Sequence, residues 1–288
     1  MSFIDFEYNG QRLSDFGCMV CTFGGASGTE TVSAGNELNL NTIYKHSTHK
    51  FELMSTSYSA PFSISFQICK HPCERIRGGE QYFENNEINK LMRWLNKRGY
   101  YKFKTIDSGG QSGNIYYQGT FNTIKKIKIG SDVVGLELTF TANAPFGYYE
   151  PLSYEMDFSN VSDEFVIYDS SDEIGYIYPN TLKIEVLEDG DLQIKNSQES
   201  NVVEVKNCIR GEIITLNGEN KIILSDKEHP TLCNDFNYNF VKIINKCGES
   251  NDYYEVDNEE DEVKNIFTVT LPCNIYLSYS PICKTGEI

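Results

Sequence analysis

Two cysteine clusters are the residues whose types and spacing could do chemistry. Cys18-Met19-Val20-Cys21 is a Cys-x-x-Cys pair, and Cys69-Lys70-His71-Pro72-Cys73 sets two thiols around an imidazole. Cys18, Cys21, Cys69, His71 and Cys73 together hold enough sulfur and nitrogen for a four-ligand zinc site. The local pattern argues against it. Cys18–Cys21 reads as strand, and residues three apart on a strand point to opposite faces. The pair converges only through a turn or bulge, so the sequence favours isolated thiols and assigns no metal. His46 and His49 sit in the polar stretch Tyr44–Lys50, with no acidic or cysteine partner close in sequence. They read as surface histidines. The run Glu249–Glu262 alternates Asp257, Glu259 and Asp261, but it lacks the central glycine and terminal ligand of a calcium loop. It reads as a solvated loop. Gly24-Gly25-Ala26-Ser27-Gly28 is followed by no Lys-Ser/Thr and framed by no strand–helix pair, so it is not a phosphate loop. No nucleophile elbow or dinucleotide fingerprint is present either. The sequence therefore assigns no catalytic residue and no cofactor.

The elements that would carry these residues are mostly strands. The chain has 19 Tyr and 17 Phe, residues suited to a pleated, half-buried surface. Phe3–Tyr8 is followed by the hairpin pair Asn9-Gly10. Ser63–Cys69 and Leu136–Thr141 alternate apolar and polar residues, the period of a half-buried strand. One segment breaks the pattern. Ile88, Leu91, Met92 and Leu95 recur at helical spacing, which predicts a helix over Asn85–Lys97, capped by Asn85 or Asn86 and ended by Gly99. Trp94, the only tryptophan, lies near that face. The second half predicts short strands at Leu182–Leu187, Gln193–Asn196, Val202–Lys206, Glu212–Leu216, Lys221–Leu224, Phe240–Ile244, Ile266–Leu271 and Asn274–Tyr279. Their regular spacing suggests a β-sandwich.

Charge divides the 288 residues unevenly. The chain holds 25 Lys+Arg and 41 Asp+Glu, a net −16. Residues 1–150 are net +1, and residues 151–288 are net −17. The shift falls beside Ala144-Pro145-Phe146-Gly147 and predicts two domains, 1–150 and 151–288. An acidic chain is a poor general binder of nucleic acid. No apolar run is long enough to cross a bilayer, so no membrane insertion is expected. Met1–Glu7 has neither the basic nor the apolar region of a secretory leader. With nine cysteines, an odd number, this points to free thiols in a reducing cytoplasm.

Phe6–Gly17, with its Ser14-Asp15-Phe16-Gly17 ending, resembles the opening of the distal tail proteins of long-tailed bacteriophages. Further similar segments follow in the same order. They are Phe51-Glu52-Leu53 through Pro61-Phe62, Met92-Arg93-Trp94-Leu95, Tyr101–Lys104, Ile115–Gly119, and Gly135–Phe140 into Asn143–Gly147. In the second half they are Gly211–Gly218, Lys221–Ser225, Phe236–Phe240 and Ile275–Pro281. The acidic run at Glu249–Glu262 and the cysteine count depart from the family pattern.

The resemblance implies a mainly β fold. It implies an N-terminal β-sandwich-like belt domain with one α-helix and a C-terminal galectin-like β-sandwich. It also implies a structural protein, not an enzyme. Six copies would form a homo-hexameric ring at the distal tail tip. The tail tube protein would lie above and a tail-associated lysin or fibre hub protein below, with a receptor-binding protein as a further partner. DNA would pass through without specific binding. Such a protein is made and assembled in the bacterial host cytoplasm and ends in the virion.

A near-neutral first half can pack six-fold without strong self-repulsion, whereas the −17 half is expected at the periphery. The expected ring interface lies on strand edges and the exit segment: Phe3, Phe6 and Tyr8; Lys125, Lys126 and Lys128; Pro145 and Phe146. A carbohydrate-binding tail-tip module is the alternative reading, with Tyr253 and Tyr254, or Tyr276 and Tyr279, as stacking aromatics. A zinc enzyme at the Cys/His cluster is a third.

Overall fold

A computed structural model describes residues 3–23, 37–72, 81–110, 113–245 and 263–284. The chain divides into two compact units, one reaching Tyr148 and the other spanning Tyr149–Cys283. Both are built mainly of β-strands.

The first unit contains β1 (Phe3–Tyr8), β2 (Gln11–Arg12), β3 (Cys18–Cys21), β4 (Leu38–Lys45), β5 (Lys50–Tyr58), β6 (Ser63–Lys70), β7 (Tyr101–Asp107), β8 (Ile115–Ile129) and β9 (Asp132–Ala142). A short β10 (Gly147–Tyr149) follows. The main sheet runs β2-β1-β7-β8-β9-β6-β3. Asn9 and Gly10 both have positive φ, at 52° and 74°, which makes the tight β1–β2 turn that Asn-Gly favours. The sheet curls on itself. Phe6 of β1 lies 5.4 Å from Phe66 of β6, although the two strands are not neighbours. Rings from Phe6, Phe66, Phe103, Phe121 and Phe140 fill the space between.

The helix Asn85–Leu95 closes this core with Ile88, Leu91, Trp94 and Leu95. Its N-cap is Glu84, not Asn85 or Asn86. The Glu84 backbone N–H donates to Glu87 at 2.8 Å, one arm of a capping box. The helix stops at Asn96, before Gly99. Trp94 stacks between Phe6 (5.5 Å) and Phe16 (4.5 Å), and its indole N–H donates to the Tyr8 carbonyl at 2.9 Å.

The second unit contains β11 (Leu152–Phe158), β12 (Phe165–Asp169), β13 (Tyr176–Ile177), β14 (Thr181–Val186), β15 (Gly190–Asn196), β16 (Val202–Cys208), β17 (Ile213–Asn217), β18 (Ile222–Ser225), β19 (Ile243–Ile244), β20 (Val263–Val269), β21 (Cys273–Tyr279) and β22 (Ile282–Cys283). A five-stranded sheet, β11-β21-β14-β17-β18, and a four-stranded sheet, β12-β20-β15-β16, share one core. Ile184, Ile275 and Phe158 come from the first sheet. Leu192, Ile194 and Phe267 come from the second. Apolar residues alternate inward on both, as in a sandwich. The expected strand at Phe240–Ile244 is shorter, since only Ile243–Ile244 is extended and paired, with β13. Phe240 and Val241 are buried all the same. Their apolar run reflects burial rather than strand.

Candidate functional site

One element of the first unit has no core of its own. Among the described residues, strands β4 and β5 pair only with each other, in a ribbon eight and nine residues long. An isolated two-stranded hairpin is marginal in water. The register sorts its side chains by face. Leu38 sits opposite Tyr58, Leu40 opposite Thr56, Thr42 opposite Leu53 and Tyr44 opposite Phe51. These alternate with Asn39 opposite Ser57, Asn41 opposite Ser55, Ile43 opposite Glu52 and Lys45 opposite Lys50.

One face is therefore mainly apolar, interrupted by Thr42 and Thr56, and the other is polar except for Ile43. Two pairs on the polar face bond across the strands. The Asn41 amide donates to Ser55 at 2.9 Å, and Lys45 pairs with Glu52. The apolar face is open, with Leu40 61%, Phe51 71% and Leu53 56% exposed. Met54, 62% exposed, is the extra residue of a bulge between the Asn41 and Thr42 pairs. A contiguous run of this kind is unusual on a protein that stays monomeric. At the base, the Ser59 N–H donates to the Glu37 carbonyl at 3.1 Å, and Tyr58 meets Phe146 edge-on at 6.3 Å.

His46 and His49 fall in the turn of this hairpin. His49 has φ 54°, and its Nδ1 lies 3.1 Å from the Tyr44 hydroxyl. Phe51-Glu52-Leu53, near the start of β5, is among the family-like segments of the sequence, whereas Leu38–Tyr44 of β4 carries no expectation there. The signal was present, because Leu38-Asn39-Leu40-Asn41-Thr42-Ile43-Tyr44 opens with strict alternation.

The expected interface residues divide. Phe3, Phe6 and Tyr8 are buried at 3% or less in the unit's own core, so their side chains are not available to a neighbour. Lys125, Lys126 and Lys128 are exposed on β8, and Lys125 is paired with Glu137 of β9 at 2.8 Å. Pro145 is partly buried, and Phe146 lies against the base of the hairpin.

The expected zinc ligands also divide. Cys18 points inward, and its thiol donates to the Phe16 carbonyl at 3.4 Å. Cys21 lies on the opposite face of β3, with Cys69 of β6 on that same face. His71 is exposed beyond the end of β6, and Cys73 lies outside the described residues. Among the described residues, no three His, Cys, Asp or Glu side chains are grouped to hold a metal. Gly24–Gly28 and Glu249–Glu262, with Tyr253, Tyr254, Asp257, Glu259 and Asp261, also lie outside them. Of the stacking aromatics, Tyr276 is exposed. Tyr279 is fully buried and stacked on Tyr154 at 6.2 Å, so it cannot present a face to a sugar.

In the second unit, His229 is a titratable residue that sequence reasoning left unassigned. Its ring lies 2.9 Å from Glu212 and 3.2 Å from Asp235, and the His229 and Glu212 side chains are at most 2% exposed. Glu212 also accepts from the Ser225 hydroxyl at 2.6 Å and the Ile209 N–H at 2.9 Å. Burial lowers the imidazole pKa, but the two carboxylates outweigh it and the net shift is upward.

Two family models match the sequence. One, described as a phage tail protein N-terminal domain, covers residues 1–144. The other, described as a phage tail C-terminal domain, covers residues 146–279. Among solved structures, the chain is similar to the Dit (gp 19.1) protein of phage SPP1, described as a paradigm of the hub adsorption apparatus in phages infecting Gram-positive bacteria. That match has a TM-score of 0.58 at 11% identity and covers 96% of this chain and 98% of that one. A chain of the phage P2 baseplate, in its activated conformation with Ca, matches with a TM-score of 0.49 at 7% identity over 96% and 98% of the two chains. No curated protein matches.

Proposed function

The chain belongs to the phage tail protein family matched over both its halves, and on that premise we propose that six copies form a ring at the distal end of the tail. The ring joins the tail tube to a tail-associated lysin or fibre hub and to receptor-binding components, and leaves a channel for DNA. The observation that carries this reading is the hairpin β4–β5, with its exposed apolar side chains Leu38, Leu40, Tyr44, Phe51 and Leu53.

That face needs a cover. A neighbouring copy supplies one in a heterologous contact, which closes into a ring when the rotation fits. Open strand edges give neighbours backbone groups to pair with, and pairing in turn shields those edges. The polar face of Asn39, Asn41, Ser55, Ser57 and the charged Lys45, Lys50 and Glu52 then meets water. A channel wall so lined carries little net positive charge, so DNA slides past without being held. The strongly acidic residues 151–288 go to the periphery, where six copies repel least.

The test is a variant carrying Leu40→Asp, Phe51→Asp and Leu53→Asp. All three residues are exposed, so the fold is kept and the ring is lost. Negative-stain images of wild type should show rings and those of the variant none. Rings of unchanged size from the variant would overturn the assignment of the interface to this hairpin.

A further inference from the structure

We propose that Cys21 and Cys69 are a redox-closed clip, open as thiols in the host cytoplasm and closed as a disulfide once an oxidant reaches the protein. Strands β3 and β6 are antiparallel neighbours, with Met19 opposite Cys69 and Cys21 opposite Gln67. The two cysteines are therefore diagonal partners on one face, alternating with the inward Val20 and Ile68. Both are partly exposed. A side-chain hydrogen bond couples the two thiols, with the Cys21 thiol as its donor.

Diagonal partners stand about 7–8 Å apart, beyond the usual span of a disulfide, so closure needs backbone movement. However, β3 is the edge strand of its sheet and can supply the remaining movement. A cavity of about 210 Å³ opens beside Cys21, lined also by Phe23, Ser65, Gln67 and Glu137. Cys69 is not in that lining, and a small oxidant reaches its sulfur from its own partly exposed side. The other described thiols are placed differently. Cys18, Cys208, Cys273 and Cys283 are buried, and Cys233 is exposed.

The chemistry divides between the two sulfurs. The bond from Cys21 favours the thiolate at Cys69 and holds the proton on Cys21. With a hydroperoxide as oxidant, the Cys69 thiolate attacks one peroxide oxygen. An S–O bond forms, the O–O bond breaks, and the departing hydroxide takes a proton to become water. Cys69 is now a sulfenic acid, oxidised by two electrons, and the peroxide is reduced by two. The Cys21 sulfur then attacks the sulfenic sulfur. The S–S bond forms, the S–O bond breaks, and hydroxide leaves with the Cys21 proton as a second water.

The closed loop, residues 21 to 69, contains both strands of the hairpin β4–β5. The clip therefore ties the chain entering the hairpin to the chain leaving it. Its effect on assembly rests on the ring reading above, whereas its formation does not.

The experiment treats the full chain with a small molar excess of hydrogen peroxide, blocks free thiols and maps peptides without reduction. It is scored equally on monomer or ring, so it fails or succeeds independently of the ring. The expected result is a Cys21–Cys69 linked peptide that a reductant removes, with Cys233 unlinked. In Cys21→Ser, which cannot close, Cys69 should accumulate as a sulfenic acid trapped by dimedone faster than Cys233. Backbone amides of β3 should exchange about tenfold more slowly in the linked form, a modest effect for a cross-link. Absence of the linked peptide, or dimedone labelling of Cys69 no faster than of Cys233, would overturn the proposal.

Discussion

His229 is held between two carboxylates, and its charge sets a pH window for the second unit. Its folded pKa lies above the unfolded value of about 6.5. Its stabilisation is thus fully present below about pH 6.5 and is lost as pH rises through the folded pKa. Asp235 is shifted the other way, down from 3.8, chiefly by its bond from Thr231. Its contribution appears above its unfolded pKa and is lost as pH falls through the folded one. Denaturant midpoints of the second unit should therefore decline from pH 6 toward pH 9, which titration of unfolding against pH measures. His229→Ala strands the buried Glu212 carboxylate and should cost about 3 kcal/mol. In the first unit, Trp94→Ala should cost about 3–5 kcal/mol, since it empties a site packed on both ring faces. At this scale the sequence was partly legible. That Cys18 and Cys21 cannot both face one ligand follows from strand geometry alone. The inward turn of Phe3, Phe6 and Tyr8 did not, because alternation puts only Phe6 and Tyr8 on one face, and Phe3 joins them through a register shift between Phe3 and Asp5 that the sequence does not show.

Strands and their close approaches govern the next scale. Gly119 lies where β8 crosses β9, and a Cβ there would come within 2.4 Å of the Thr141 carbonyl and 2.8 Å of the Ala142 Cα. Backbone cannot yield cheaply, so Gly119→Ala should lower the thermal midpoint of the first unit, read by the fluorescence of the single Trp94. The hairpin behaves oppositely. Leu40→Asp, Phe51→Asp and Leu53→Asp lie on an open surface and should each change monomer stability by no more than about 0.5 kcal/mol while weakening assembly. Most elements were readable from period and turn chemistry, including the Asn9-Gly10 turn and the long helix. The hairpin escaped because its apolar face emerges only when the alternation of Leu38–Tyr44 is combined with the register against Phe51–Tyr58. The cap at Glu84 escaped because asparagine is the commoner N-cap residue and a capping box through two glutamates is not.

The whole molecule joins an apolar ribbon to a strongly acidic second half. The ribbon favours association, and residues 151–288, net −17, oppose it by repulsion. Raising salt from about 0.01 M to 0.15 M shortens the screening length from about 30 Å to 8 Å. The ring should therefore tighten over that range, which sedimentation at several salt concentrations would show as a shift toward the larger species. The charge asymmetry was plain in the sequence. The surface that exploits it was not, because it requires the register of two strands. The most direct measurement is the mass of the wild-type protein in solution by light scattering across a concentration series. The account predicts a dominant species at six times the 32.8 kDa chain mass. A single species of 32.8 kDa at every concentration and salt would contradict it.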